Sequence, residues 1–161
     1  MRPVIRSGIV LWAIGICGCH REPWTVLNGA EAVALRQPCS RPFPDELQGQ
    51  WAPRKEDVAL AESEIGRAVD AAFARLKTDR PPYRPSSYRR QYAGFWRRER
   101  RVLYVNGIAS GLTDDRWRSR AASMCDGGTQ SYGAVFDLDR RSFDSFYFNG
   151  AFSGRLPGGG W

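Results

Sequence analysis

The fold turns on residues 57–77, DVALAESEIGRAVDAAFARLK. Val58, Ala61, Ile65, Ala68, Val69, Ala72 and Leu76 recur at steps of three and four, so a helix over Asp57–Lys77 presents one apolar face. Glu56, Asp57, Glu62 and Glu64 crowd the first half and Arg75 and Lys77 the end, the order that a helix dipole favours. The stretch from Asp79 to Pro85 stops the helix, because Pro81 and Pro82 have no amide hydrogen to continue it.

Beyond that stop the sequence reads as β. Tyr88–Trp96 and Val102–Ile108 are rich in aromatic and β-branched residues, with Arg97–Arg101 as a charged turn between them. Ser131–Leu138 and Ser142–Asn149 form a second hairpin about Asp139-Arg140-Arg141. Asn106-Gly107 and Asn149-Gly150 read as strand ends. One helix followed by two hairpins predicts an α+β domain, with the helix packed on a four-stranded antiparallel sheet. Val58, Ile65, Val69, Ala72 and Leu76 are expected to bury against Leu103, Val105, Val135 and Phe146. This order of elements resembles the cystatin-like folds, an analogy that carries architecture and no activity. The block from Trp51 to Asn149, with its YRRQYAG, YVNG, CDGG and FNG segments, is similar to small secreted bacterial proteins of uncharacterised function.

Upstream, residues 19–50 contain Pro23, Pro38, Pro42 and Pro44 and lack periodicity, so they read as an arm leading to a domain over 51–154. Trp24, Phe43 and Trp51 are expected to dock back on that domain. Residues 155–161 read as a loose tail. The whole chain is 161 residues and 18.1 kDa, the size of one domain, and 42% hydrophobic residues suffice for a packed core.

The first 18 residues read as a leader. Arg2 and Arg6 precede the eleven-residue apolar run Gly8–Gly18, GIVLWAIGICG, which is too short to cross a bilayer as a helix. The run ends in Ile16-Cys17-Gly18-Cys19, which resembles the lipobox of bacterial lipoproteins. That resemblance implies cleavage before Cys19 and acyl chains on Cys19, enough for stable membrane attachment. His20 follows where inner-membrane retention usually needs Asp, so the resemblance implies the periplasmic side of the outer membrane. Cleavage without lipid, an uncleaved anchor and a misassigned start are the competing readings of the same residues.

Processing at Cys19 leaves two thiols, Cys39 and Cys125. An even pair in an oxidising compartment suggests a disulfide; two unpaired buried thiols are the alternative. No metal is expected, because neither cysteine has a Cys or His neighbour at ligand spacing.

His20 is the only histidine, so no Ser-His-Asp or Cys-His pair can form. No Gly-rich phosphate loop is present, and no cofactor is expected. Asp114, Asp115 and Asp126 lie between the hairpins, where paired carboxylates could act as acid and base. Asp126-Gly127-Gly128 resembles a turn more than an active site. Asp137, Asp139 and Asp144 flank a hairpin bend, where solvated charges opposite Arg140 and Arg141 explain them as well as an acid–base role does.

The formal charge is +7 and the pI near 9.7. Eight arginines fall between Arg80 and Arg101, interleaved with Tyr83, Tyr88, Tyr92, Phe95 and Trp96. Behind a leader, nucleic acid is not the expected partner. Lipid phosphates, cell-wall anions and acidic proteins are, with Arg89, Arg97, Arg98 and Trp96 as contacts. Alternating Arg on a strand can also simply face water. The leading expectation is a non-enzymatic envelope lipoprotein that binds an anionic or protein partner, as an inhibitor or immunity-type protein does. The alternatives are a carboxylate-dependent envelope hydrolase and a structural component of an envelope assembly.

Overall fold

The computed structural model describes residues 21–76, 84–150 and 153–154. Expectations that fall on residues 1–20, Cys19 among them, on residues 77–83, with Lys77, Arg80, Pro81, Pro82 and Tyr83, and on residues 155–161 lie outside those residues. The elements run β1 (Trp24–Val26), α1 (Gly29–Ala34), β2 (Leu47–Trp51), α2 (Lys55–Phe73), β3 (Tyr88–Arg97), β4 (Arg100–Ala109), β5 (Ser131–Asp137), β6 (Ser142–Phe148) and β7 (Ser153–Gly154), with short 3-10 turns between them.

The α+β class holds, but the sheet is larger and mixed. β3, β4, β5 and β6 form the expected antiparallel meander. Three further strands extend it. β7 pairs with β6, while β1 and β2 share the free edge of β3. β1 runs parallel to β3 with Trp24 opposite Arg90, and β2 runs antiparallel with Leu47 opposite Arg97. The residues read as an arm therefore supply two strands and a helix of the fold.

Helix α2 begins at Lys55 because the Asp57 carboxylate accepts the Arg54 amide hydrogen at 2.9 Å, satisfying one of the orphan donors of the first turn. It ends at Phe73, four residues early. Arg75 donates to the Ala72 carbonyl and Leu76 to that of Phe73, so the final turn tightens to three-residue spacing. Leu76 still packs against the core from that turn.

Both faces of the sheet are covered. On one, Val58, Ile65, Val69 and Ala72 of α2 meet Leu103, Val105, Tyr132, Phe136 and Phe146. On the other, Leu27, Ala32, Leu35 and Leu47 meet Phe95, Val102, Tyr104 and Val135. Val135 thus lies opposite the helix, correcting its expected place. Side chains alternate along a strand, and Ala134 and Phe136 take the helix side of β5. Trp24 and Trp51 pack on the helix-side cluster and Phe43 on the other.

Cys39 and Cys125 form a disulfide across a separation of 86 residues, with Cα atoms 5.0 Å apart. Both cysteines are exposed. The bond staples the α1–β2 connection to the loop before β5.

Candidate functional site

The arginines of the 84–101 segment do not form one patch. A strand rises about 3.4 Å per residue, so Arg89 and Arg97 stand about 27 Å apart along β3. Alternation then sends neighbours to opposite faces.

Arg97 is buried beneath the β3–β4 turn. Its Nη2 donates to Asp137 Oδ2 at 2.8 Å and lies 2.5 Å from Asp144 Oδ2. Burial works against its charge, but the hydrogen bonds and charges of Asp144 and Asp137 outweigh that and raise its pKa. Asp137 also accepts from Arg100 at 3.0 Å and from the amides of Asp139 and Arg140. Asp137 and Asp144 are therefore interior ion-pair partners of Arg97, not solvated charges opposite Arg140 and Arg141. Arg97 has no free surface to offer a partner.

Arg90 is also taken up inside. Its Nε and Nη2 donate to the two oxygens of Glu62 at 2.6 and 2.7 Å. Burial opposes its charge as well, and Glu62 overrides it to hold the pKa above the ordinary arginine value. The Arg89 guanidinium lies 5.3 Å from the centre of the Trp117 ring and donates to Thr113 Oγ1 at 2.7 Å.

Two predicted residues remain together and accessible at the β3–β4 tip. Trp96 is 37% exposed, and Arg98 is exposed in the two-residue turn at φ 58°. Trp96 and Arg101 are register partners, so their side chains share the helix-side face. Arg101 is half-exposed, its guanidinium 5.1 Å from the centre of the Trp51 ring. The Trp51 indole is fixed by donating to the Phe95 carbonyl at 2.9 Å. A Cβ on Gly94 would come within 2.8 Å of that ring, so only glycine lets Trp51 lie flat there. Arg101 thus lies against Trp51 and 3.9 Å from Asp57, while Trp96, its register partner, is exposed on the same face and Arg98 follows in the turn.

The predicted acidic residues have structural occupations. Asp114 caps a 3-10 turn, accepting the Arg116 amide at 3.0 Å and its Nε at 2.8 Å. The Arg116 hydrogen bond lowers its pKa below the ordinary carboxylate value. Asp115 follows in the same turn, exposed. Asp126, at φ 55°, exchanges hydrogen bonds with Ser40 beside the disulfide.

Sequence reasoning missed Arg41. Its guanidinium donates to Tyr104 Oη, Ser131 Oγ, Asn149 Oδ1 and Asn106 Oδ1. Asn106 passes the network on to Gln91 Oε1 and the Ala122 carbonyl. Gln91 in turn holds the Trp117 and Arg120 carbonyls. Asn106, expected at a strand end, instead lies inside β4. The only local signal was a polar residue in an otherwise apolar strand, Asn106 after Val105. Arg41 and Asn106 line a small cavity of about 120 Å³ next to Cys39.

A larger open cleft, about 660 Å³, lies at the β1 edge and is lined by Arg21, Glu22, Trp24, Lys55 and Arg118 among others. No group of three or more His, Cys, Asp or Glu side chains suited to a metal occurs among the described residues. No helix among them is long and apolar enough to cross a membrane. Comparison of the chain with family models, curated proteins and solved structures finds no match.

Proposed function

We propose that this chain is an envelope lipoprotein, attached through Cys19 on the periplasmic side of the outer membrane. Its disulfide-locked domain binds an acidic protein partner through the β3–β4 tip. The observation that carries this reading is the exposure of Trp96 and Arg98 together at one tip, with Arg101 stacked on Trp51 on the Trp96 face. Trp and Arg anchor protein interfaces because they combine large contact area with charge-assisted hydrogen bonds. The interior arginines, Arg90 and Arg97, already have carboxylate partners, whereas Arg98 has none among the described residues. The exposed disulfide agrees with an oxidising compartment. The binder reading is favoured over a carboxylate hydrolase because Asp114, Asp126, Asp137 and Asp144 are each engaged in a cap, a turn or an ion pair.

The test is capture from envelope extract by the full-length protein, followed by mass spectrometry. Wild type should retain an acidic protein that a Trp96→Ala, Arg98→Glu variant loses, with binding weakened by salt. Equal capture by both proteins would remove the tip from the account.

A further inference from the structure

The cleft at the β1 edge is placed where an acylated Cys19 would put a membrane. We propose that Arg21, Lys55 and Arg118 form a seat for the phosphates of anionic lipid headgroups, fixing the orientation of the domain on its own bilayer. This rests on the lipid attachment proposed above.

Covalent geometry provides the first argument. A chain spans at most about 3.6 Å per residue, so the Cα of Arg21 lies within about 7 Å of that of Cys19 whatever path joins them. The acyl chains of Cys19 enter the hydrocarbon, so Arg21 sits at headgroup depth. Arg118 is bound to the same edge: its Nη2 donates to the Glu22 carbonyl at 2.7 Å and its Nη1 to the Trp24 carbonyl at 3.2 Å. The face that meets the headgroups is therefore the one that carries the cleft.

Charge provides the second. Three cations and one carboxylate, Glu22, line the cleft. None of the three cations makes an ion pair among the described residues, in contrast to Arg90 and Arg97. At an anionic leaflet each Lys or Arg near the surface strengthens association about fivefold. Half-buried Trp24 adds the residue type that concentrates at bilayer interfaces. The cleft is distinct from the β3–β4 tip. Val26 pairs with Tyr92, and Arg97 lies about 17 Å further along β3. A domain seated through the cleft can thus still offer Trp96 to a partner.

Lysine acylation reads the seat directly, because the sequence holds only two lysines, Lys55 and Lys77. The processed full-length protein is incorporated into vesicles of phosphatidylcholine alone or with phosphatidylglycerol. A water-soluble acylating reagent is then applied, with a soluble lysine peptide in the same buffer as the reference. The expected result is flotation with both vesicles, and Lys55 acylation slowed at least about fivefold relative to that peptide by phosphatidylglycerol. High salt, or an Arg21→Gln, Arg118→Gln variant that remains folded by circular dichroism, should restore the rate. Flotation with equal Lys55 rates in the two vesicles overturns the seat and leaves the anchor standing. Failure to float overturns the anchor, and the seat with it.

Discussion

Arg90 on β3 and Glu62 on α2 face each other through two parallel hydrogen bonds of 2.6 and 2.7 Å, the bidentate geometry that matches guanidinium to carboxylate. Tyr92 Oη donates to the same Glu62 at 2.5 Å. The pair therefore pins helix α2 to β3, the strand next to the edge formed by β1 and β2. Removing one partner leaves a buried charge uncompensated, so Glu62→Ala should destabilise the domain by about 3 to 5 kcal/mol. Replacing both, as Glu62→Leu with Arg90→Met, should recover most of that loss in urea denaturation.

Tyr132 lies beside this cluster with its hydroxyl buried and without a hydrogen-bond partner. Tyr132→Phe should therefore stabilise the protein, by about 1 kcal/mol, since an unsatisfied buried polar group is removed at constant shape. The same burial raises the pKa of Tyr132, and burial together with Glu62 raises that of Tyr92. Both groups stay neutral in the folded protein while the unfolded chain ionises near pH 10. Their contribution is present in full below that pH and is lost as pH rises above it. Stability should fall on the alkaline side of pH 10, and less steeply in the Tyr132→Phe variant.

Helix α2 was legible because it keeps one hydrophobic period over its length, and the two hairpins because aromatic and β-branched residues fill runs of at least seven residues. β1 and β2 were not. They are three and five residues long, and β2 is broken by a bulge at Gly49, so neither shows a period. What makes them strands is their register with β3. Parity along β5 was readable, but not which parity faces α2, because both faces of that strand are buried and Val135 looks as apolar as Phe136. Arg97 misled for a related reason. The acids that neutralise it, Asp137 and Asp144, are 40 and 47 residues away and meet it only once β3, β4, β5 and β6 are paired. Of the expected contacts, Trp96 and Arg98 stay accessible at the tip, and the Arg41 network left one trace in the pattern, the polar Asn106 in an apolar strand.

Ile65 faces the sheet from α2 with 4% of its surface exposed. Ile65→Ala should cost about 2 to 5 kcal/mol, the usual range for a truncation that leaves a cavity. Leu76→Ala should cost less, because Leu76 is only partly buried in the tightened last turn. Equal losses at the two sites in thermal unfolding would contradict the assigned helix end.

The Cys39–Cys125 disulfide closes a separation of 86 residues. On the chain-entropy model a loop of that length adds about 4 to 5 kcal/mol. Reduction, or a Cys39→Ala, Cys125→Ala variant, should lower stability by that order. Arg41, two residues from Cys39, should then exchange its hydrogen bonds for water, seen as a gain in amide exchange at Asn106 and Asn149. Unchanged exchange under reducing conditions would separate the disulfide from the Arg41 network.

The mass of the N-terminal and cysteine-containing peptides of the protein purified from its own envelope tests the proposed attachment and compartment most directly. The account predicts a mature chain beginning at Cys19, its mass raised by acyl chains, with Cys39 and Cys125 recovered as one disulfide-linked pair before reduction. A chain that retains Met1, or begins elsewhere without lipid, with Cys39 and Cys125 both alkylated unreduced, would contradict it.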